Sequence, residues 1–287
     1  ADTGNEHEST VEYALHYLPK ALGVAIEVVK ADFTDEFKTK RANLQRIADG
    51  EPESVVYGSR SFKHQWTADT ARRALELLHP TGNPFLDLCL VRGGFPSRKR
   101  QYCTEHLKTK PLTEYALSII ETGSAVWSWQ GVRIEESDSR RARLQGTGAC
   151  VKAFEAVGGG LFNYRPILRW SARDVFQAHD LAGIQPNPLY LQGMSRVGCM
   201  PCVNCNKAEL REIARRFPEH IERIADWERL VTAVCRPRSP VSFFHMRPGK
   251  YAEKELGSIH SVVEWSKTTR GGKQFDLLAN LDEPSAC

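Results

Sequence analysis

The sequence predicts an α/β protein with a doubly wound, mostly parallel sheet and a smaller helical, cysteine-bearing C-terminal region. Over the first 190 residues, segments with helical periodicity alternate with segments rich in β-branched residues, as in α/β folds. After Pro186 this alternation stops, and three cysteines fall between positions 199 and 205. We therefore expect a nucleotide-binding α/β domain over 1–190 and a cysteine-cluster and helical region over 191–287.

Local signals predict the individual elements. Helices are expected where apolar residues recur every three to four positions, and strands where β-branched and aromatic residues dominate. Ser171 and Gly183 mark the start and the end of the clearest helix. In chain order we predict a helix at 10–18, a strand at 23–32, helices at 33–49, 67–78 and 111–122, a strand at 125–134, and helices at 171–183, 207–217 and 218–234.

Composition bounds the function classes. Of the 287 residues, 41% are hydrophobic and 26% are charged, which is typical of a globular protein. No segment approaches the roughly 18 consecutive apolar residues of a membrane helix, so no membrane partner is expected. The net charge of +4 is compatible with anionic ligands but does not by itself indicate nucleic-acid binding. The polar start of the chain is unlike a signal peptide, and the sparse cysteines favour a reducing cytoplasm.

Two segments have residue types that suit a nucleotide. Asp2, followed by Gly4 and a helix start, could accept hydrogen bonds from a nucleoside, although a plain turn and helix cap is equally consistent. The basic loop that contains Arg98 and Lys99 offers donors for phosphate or sulfate oxygens, with a solvated loop as the alternative.

A third segment alternates arginines with carboxylates after the strand predicted at 125–134. Arg133 and Arg140 flank Glu135 and Glu136, at the edge of the sheet where open α/β folds place ligands. We expect the glutamates to orient the arginines. A salt-bridged surface turn is the competing interpretation.

Cys199, Cys202 and Cys205 form two successive Cys-x-x-Cys steps, a spacing that suits an iron–sulfur cluster and also zinc. No histidine pair follows at zinc-finger spacing, which favours the cluster. The fourth ligand stays open. Candidates for it, in order of preference, are Cys287, Cys235 and Cys103, with His220 as an option for zinc.

Taken together, these segments resemble the phosphoadenosine phosphosulfate (PAPS) reductase family, within the adenine-nucleotide alpha-hydrolase superfamily of ATP pyrophosphatases. The cysteine arrangement is similar to that of DNA phosphorothioation proteins and phage-encoded relatives. The resembling segments, in the family's order, are DTGNEHEST, FPSRKRQYCTEHLK, GVRIEESDSR, PILRWSARDVFQAH and GIQPNPLYLQGMSRVGCMPC.

The resemblance implies an adenylyl nucleotide, namely PAPS, adenosine phosphosulfate (APS) or ATP, with Mg²⁺ as an option. It places Asp2, Thr3 and Gly4 near the nucleoside. It also directs a set of basic side chains at the phosphate or sulfate. These are Arg98, Lys99, Arg133, Arg140 and Arg196.

Three departures from the family pattern limit what the resemblance implies. The Ser-Gly-Gly-x-Asp-Ser phosphate loop and its strand are missing, which we interpret as an N-terminal truncation. The C-terminal nucleophilic cysteine is absent from the nearest similar segment, at 255–260, so no catalytic residue is assigned. Cys103 follows Tyr102 where cluster-containing APS reductases have adjacent cysteines.

The expected function is a PAPS reductase-like sulfur-metabolism enzyme that uses a Cys-ligated [4Fe–4S] cluster, or zinc in its place. One alternative is an ATP pyrophosphatase that adenylates an acceptor for sulfur insertion into DNA or tRNA. Another is a non-catalytic nucleic-acid-binding or regulatory relative. A sulfur donor or a thiol reductant protein would be a further partner.

Overall fold

The computed structural model describes residues 1–53, 65–156, 159–236, 240–244 and 258–269. The chain divides into two compact units. Unit 1 contains residues 1–32 and 103–198, and unit 2 contains residues 33–102 and 199–287. The boundary predicted at 190/191 differs from this division, because residues 33–102 pack with the cysteine-bearing segment. A division by packing does not define folding domains, so the predicted boundary stays a prediction.

Helices make up most of the regular structure. Two of them continue through π-helical turns at Tyr13–Tyr17 and Glu105–Thr109, and a 3₁₀ turn spans Ile134–Glu136. The α-helices are α1 (Glu8–Glu12), α2 (Leu18–Leu22), α3 (Thr34–Ala48), α4 (Ala68–Leu77), α5 (Pro84–Arg92), α6 (Tyr102–Thr104), α7 (Lys110–Ile120), α8 (Asp138–Leu144), α9 (Ala172–Ala182), α10 (Pro188–Leu191), α11 (Lys207–Arg216), α12 (Pro218–Ala233) and α13 (Ile259–Ser266).

The sheet of unit 1 has three strands in the described residues, β1 (Ala125–Trp129), β2 (Cys150–Ala156) and β3 (Gly159–Tyr164). Their order is β1-β3-β2, with β1 parallel and β2 antiparallel to β3. The described residues therefore form a small mixed sheet and do not confirm the predicted doubly wound, mostly parallel one. Two residues separate β2 from β3, and so short a connection can join only antiparallel neighbours, whereas parallel strands need a crossover.

The strand predicted at 23–32 is not part of this sheet. Its backbone forms an isolated parallel bridge between Lys30 and Asp2, and the Asp2 N–H donates to the Val29 carbonyl at 2.9 Å. Val24 and Ile26 stay exposed. The β-branched content predicted a strand here, but a strand also needs a partner that local sequence does not specify.

Helix termini follow the local signals closely. Ser171 accepts from the Asp174 N–H while the Asp174 carboxylate accepts from the Ser171 N–H, which completes a capping box at the start of α9. Gly183 ends this helix with φ of 64°, a left-handed conformation that glycine adopts without steric cost. Helices α3, α4, α11 and α12 also lie within a residue or two of their predicted positions.

Unit 2 is built around α5, which the sequence analysis did not predict. Phe85 on this helix stacks on Trp227 of α12 at 5.7 Å between ring centroids and also contacts Phe243. Leu88 and Leu90 are fully buried beside it. Burial of this much apolar surface is the main stabilising contribution to the unit.

Within the described ranges, none of the helices is both long enough and apolar enough to cross a membrane.

Candidate functional site

Four arginines of unit 1 converge after the carboxyl end of β1. Arg140, half-buried on α8, has a pKa below its ordinary value, because burial and then the positive charges of Arg143, Arg196 and Arg133 disfavour its cationic form. Three of these arginines were predicted to face a phosphate or sulfate. Arginines concentrated in this way form a strongly electropositive site that suits a multiply charged anion.

Two glutamates hold part of this cluster in place. Arg133 donates to Glu135 at 2.9 Å, and Glu136 lies 3.7 Å from the Arg133 Nε and pairs with Arg140 one helical turn away. Glu135 also accepts from the Ala172 N–H at 2.8 Å, which fixes it at the start of α9. The Glu136 carboxylate thus links Arg133 to Arg140.

The local fold explains why these groups meet. Gln130, which follows β1, donates its backbone N–H to the Tyr164 carbonyl at the end of β3, and the Ile134 N–H donates to the Leu168 carbonyl. The segments that leave the two parallel strands therefore run side by side toward Arg133. Ser137 then caps α8, whose first turns present Arg140 and Arg143.

Arg143 is the one member of the cluster that the sequence analysis did not assign to the phosphate or sulfate. It follows Arg140 by three positions on α8, and residues spaced in this way share a helix face. That spacing was the available signal.

The predicted nucleoside loop is internally bonded. Burial would raise the pKa of Asp2, but the Lys30 ammonium at 2.8 Å and the Gly4 N–H at 2.9 Å together lower it below its ordinary value. Thr3 is buried and donates to Glu6 at 2.6 Å. Gly4, with φ of 78°, gives the chain its sharp turn. The loop is thus a pre-formed turn in which the Asp2 carboxylate already accepts two hydrogen bonds.

Arg98 and Lys99 lie in unit 2, on an exposed turn. Arg98 donates to the carbonyl of Cys205 at 2.7 Å, and Gln101 donates to Asn204 at 3.4 Å. The basic loop therefore supports the cysteine segment. Its predicted contact with a phosphate or sulfate stays a prediction.

The cysteine loop at 199–205 is held on the helices of unit 2. Met200 and Val203 are buried, and Arg223 of α12 donates to the Met200 carbonyl at 2.8 Å. Cys205 is buried as well. The Asn204 N–H donates to the Cys202 sulfur at 3.4 Å, an interaction that stabilises a thiolate and tunes metal clusters. These contacts hold the cysteine loop in place.

The choice between an iron–sulfur cluster and zinc at these cysteines stays a prediction. Of the proposed fourth ligands, Cys287 lies outside the described residues, and Cys235 is buried with its thiol directed at the Thr232 carbonyl.

Comparison with known proteins identifies the family. A family model described as the phosphoadenosine phosphosulfate reductase domain matches residues 88–205. An uncharacterized 37.8 kDa protein of Escherichia phage 186 is 43% identical over 298 aligned positions, which cover all of this chain and 85% of that protein. The chain belongs to the PAPS reductase family.

Two further similar proteins are named for an enzymatic activity. Adenosine 5'-phosphosulfate reductases from Neisseria meningitidis serogroups B and A are each 36% identical over 110 residues, or 38% of this chain and 39% of theirs. The chain therefore shares less than half the length of those reductases. The family match spans β1, the arginines of α8 and the cysteine loop, and the family uses adenylyl nucleotides.

Proposed function

We propose that this chain binds an adenylyl nucleotide of the PAPS, APS or ATP type and acts in sulfur metabolism. The observation that carries the proposal is the group of arginines in which Arg133 and Arg140 both contact Glu136 and Arg143 follows on the same helix. Arg196 lies near enough for its charge to act on Arg140. Guanidinium groups bind phosphate and sulfate oxygens through paired hydrogen bonds.

The role of each group follows from its contacts. Arg133, whose side chain is largely buried and held by Glu135, offers a fixed donor. Arg196 is exposed and can adjust to the ligand. The Asp2–Gly4 turn, in the same unit, receives the nucleoside. The glutamates position the arginines and take no part in proton transfer.

Calorimetric titration of PAPS, APS, ATP and AMP tests this proposal. Replacing Arg140 with Gln should weaken binding of the preferred nucleotide about 10-fold or more, since a hydrogen bond to a charged group contributes roughly 1.5–3 kcal/mol. Arg141→Gln is the matched control, because Arg141 is exposed on the same helix and is absent from the arginines that perturb Arg140. Equal affinities of the wild type and the Arg140 variant would refute the assignment.

We further propose that Cys199, Cys202 and Cys205 hold a [4Fe–4S] cluster, with zinc as the alternative and Cys287 as the fourth ligand. Such a cluster supplies redox or electrostatic assistance to sulfur chemistry. Two groups of the chain support the cysteine loop. The Asn204 N–H donates to the Cys202 sulfur, and the Arg98 guanidinium donates to the Cys205 carbonyl.

Metal analysis of anaerobically purified protein tests the cluster. We expect about four irons and four sulfides per chain and visible absorption near 400 nm. Cys202→Ser should lose most of the iron, whereas Cys150→Ser, at an exposed strand cysteine, should retain it. Stoichiometric zinc without iron would show that the cysteines bind zinc instead of a cluster. A full iron content in Cys202→Ser would refute Cys202 as a ligand.

A second candidate reaction is ATP pyrophosphatase activity that adenylates an acceptor in DNA or tRNA. The cysteine arrangement at 199–205 favours it, because it resembles that of DNA phosphorothioation proteins. Parallel assays separate the two reactions. Reduction consumes a dithiol and converts APS to AMP and sulfite with formation of a disulfide, whereas the pyrophosphatase cleaves ATP, releases pyrophosphate and transfers the adenylyl group to the acceptor.

A further inference from the structure

The Glu136 carboxylate lies between two arginines of the cluster in unit 1. Its Oε1 atom is 3.7 Å from the Arg133 Nε, and its Oε2 atom pairs with the Arg140 guanidinium. The three side chains are partly exposed, at 17% for Arg133, 28% for Glu136 and 38% for Arg140. A phosphate or sulfate group bound to both arginines would also direct separate oxygens at the two guanidiniums. The carboxylate therefore makes the contacts that such an anion would make.

The neighbouring Glu135 is anchored in a different way. Its carboxylate accepts from Arg133 at 2.9 Å and from the Ala172 N–H at 2.8 Å, so a backbone group outside the cluster fixes its position. The Glu136 carboxylate, in contrast, contacts arginines alone among the residues that the structure describes. It can therefore turn into the solvent once these two ion pairs are broken.

The surrounding charges favour an exchange of Glu136 for a ligand anion. Arg143 and Arg196 lie near enough for their positive charges to act on Arg140. A carboxylate has one negative charge, whereas a phosphate or sulfate group with two gains more attraction from the same cations at the same distance. The ion pairs given up are partly exposed, and pairs of this kind cost little to break. A singly charged anion has no such advantage over the carboxylate.

We propose that Glu136 is an internal competitor for the anion site, whose carboxylate pairs with Arg133 and Arg140 until a doubly charged phosphate or sulfate group displaces it. This inference rests on the proposed function, because it concerns the same arginines. Glu136 thus lowers the affinity of the site for every anion and selects against anions with a single charge. Glu135 keeps Arg133 in position during the exchange.

Calorimetric unfolding of the full chain in sulfate, and in chloride at the same ionic strength, tests the proposal. Glu136→Gln keeps the size of the side chain and an oxygen that accepts hydrogen bonds, but it removes the competing charge. Sulfate should raise the Tm of Glu136→Gln by roughly 2–4 °C more than that of the wild type, as expected for a gain of about 10-fold in affinity.

Glu212→Gln is the matched control. Glu212, on α11 in unit 2, also pairs with two arginines, at 2.8 and 3.2 Å, and is 32% exposed. Its replacement removes an equivalent carboxylate outside the anion site, so sulfate should affect this variant as it affects the wild type. An extra effect of sulfate in Glu212→Gln as large as that in Glu136→Gln would overturn the proposal.

Nucleotide titration adds a readout with opposite signs at the two glutamates. Glu136→Gln should bind the preferred adenylyl nucleotide roughly 3- to 30-fold more tightly, because the ligand no longer has to break two ion pairs. Glu135→Gln should bind it more weakly, because Arg133 loses its anchor. Weaker binding by Glu136→Gln would show that its carboxylate only orients the arginines and would overturn the proposal.

The two readouts separate this proposal from the proposed function. If no adenylyl nucleotide binds but sulfate still has its extra effect in Glu136→Gln, the nucleotide assignment fails and the competitor role of Glu136 stands. If Arg140→Gln loses the nucleotide while Glu136→Gln binds it no more tightly than the wild type does, the proposed function stands and the competitor role is refuted.

Discussion

Lys40 places an ammonium group inside unit 2. From α3 it donates to the carbonyl of Leu90 in the last turn of α5 and to the carbonyl of Val234, just after α12, at 3.0 Å. Carbonyls at helix C-termini have no partners within their own helices, so one side chain satisfies two helix ends. Burial lowers the pKa of Lys40 to about 8, against an opposing effect of Cys235.

Replacing Lys40 with Met should therefore change stability in a pH-dependent way. Below about pH 7 the lysine is charged in both the folded and the unfolded chain, so the difference in unfolding free energy between wild type and variant should be constant. Between about pH 8 and 10.5 the folded chain binds fewer protons than the unfolded one. Over this range the unfolding free energy of the wild type should rise by up to about 3 kcal/mol relative to that of Lys40→Met.

Urea unfolding at a series of pH values measures this difference. Lys38→Met, an exposed change on the same helix, serves as the control and should show no such dependence. A constant difference between wild type and Lys40→Met across the whole range would contradict a shifted pKa at Lys40.

Single residues also show how much of the candidate site can be predicted from the sequence. Arg133, Arg140 and Arg196 were predicted from their resemblance to family segments, and the structure brings them together. Their common ligand stays a proposal. Arg143 was not assigned to this ligand, although its spacing from Arg140 was visible. The hydrogen bond from Arg98 to the Cys205 carbonyl could not be predicted, because it joins residues 107 positions apart.

At the scale of elements, α13 depends on one buried carboxylate of α12. Glu228 accepts from the Phe243 N–H at 2.7 Å and from the Ile259 N–H at 2.9 Å, at the first residue of α13. Burial raises the pKa of Glu228 above its ordinary value, although these backbone donors oppose the shift. The carboxylate thus joins three segments of unit 2.

Glu228→Ala should leave two buried N–H donors without their acceptor and lower the unfolding free energy by about 2–3 kcal/mol. Chemical denaturation measures the change, and hydrogen exchange should show loss of protection in α13. Glu222→Ala removes an exposed carboxylate from the same helix, where it lies 3.6 Å from His260, and should cost less than about 0.5 kcal/mol. Similar losses in the two variants would refute this role for Glu228.

The elements that sequence reasoning found are those with local signals. The capping box at Ser171 lies within four residues, so it could be read directly. Helix α5 was missed because almost all of its residues are buried, and a helix that is apolar all round has no periodicity to detect. The mixed sheet was missed because pairing depends on distant segments. Gly159 shows this, since its backbone lies against the Ser124 carbonyl 35 positions earlier.

At the scale of the whole molecule, ligand binding at the arginine cluster should raise global stability. A ligand present at about 100 times its Kd stabilises the folded chain by about 2.7 kcal/mol, which corresponds to several degrees in Tm for a chain of this size. The preferred adenylyl nucleotide should raise the Tm of the wild type in this way, and Arg140→Gln should show a smaller shift at the same concentration. Differential scanning calorimetry measures both, and equal shifts would contradict a role for Arg140.

The discontinuous course of the chain has a consequence for synthesis on the ribosome. The apolar α5 emerges before residue 102, but its packing partner Trp227 lies on α12, beyond all of the second part of unit 1. At the usual elongation rates of about 5–20 residues per second, the nascent chain exposes α5 for roughly ten seconds before α12 is available. During that interval Phe85, Leu88 and Leu90 are a natural binding segment for a chaperone.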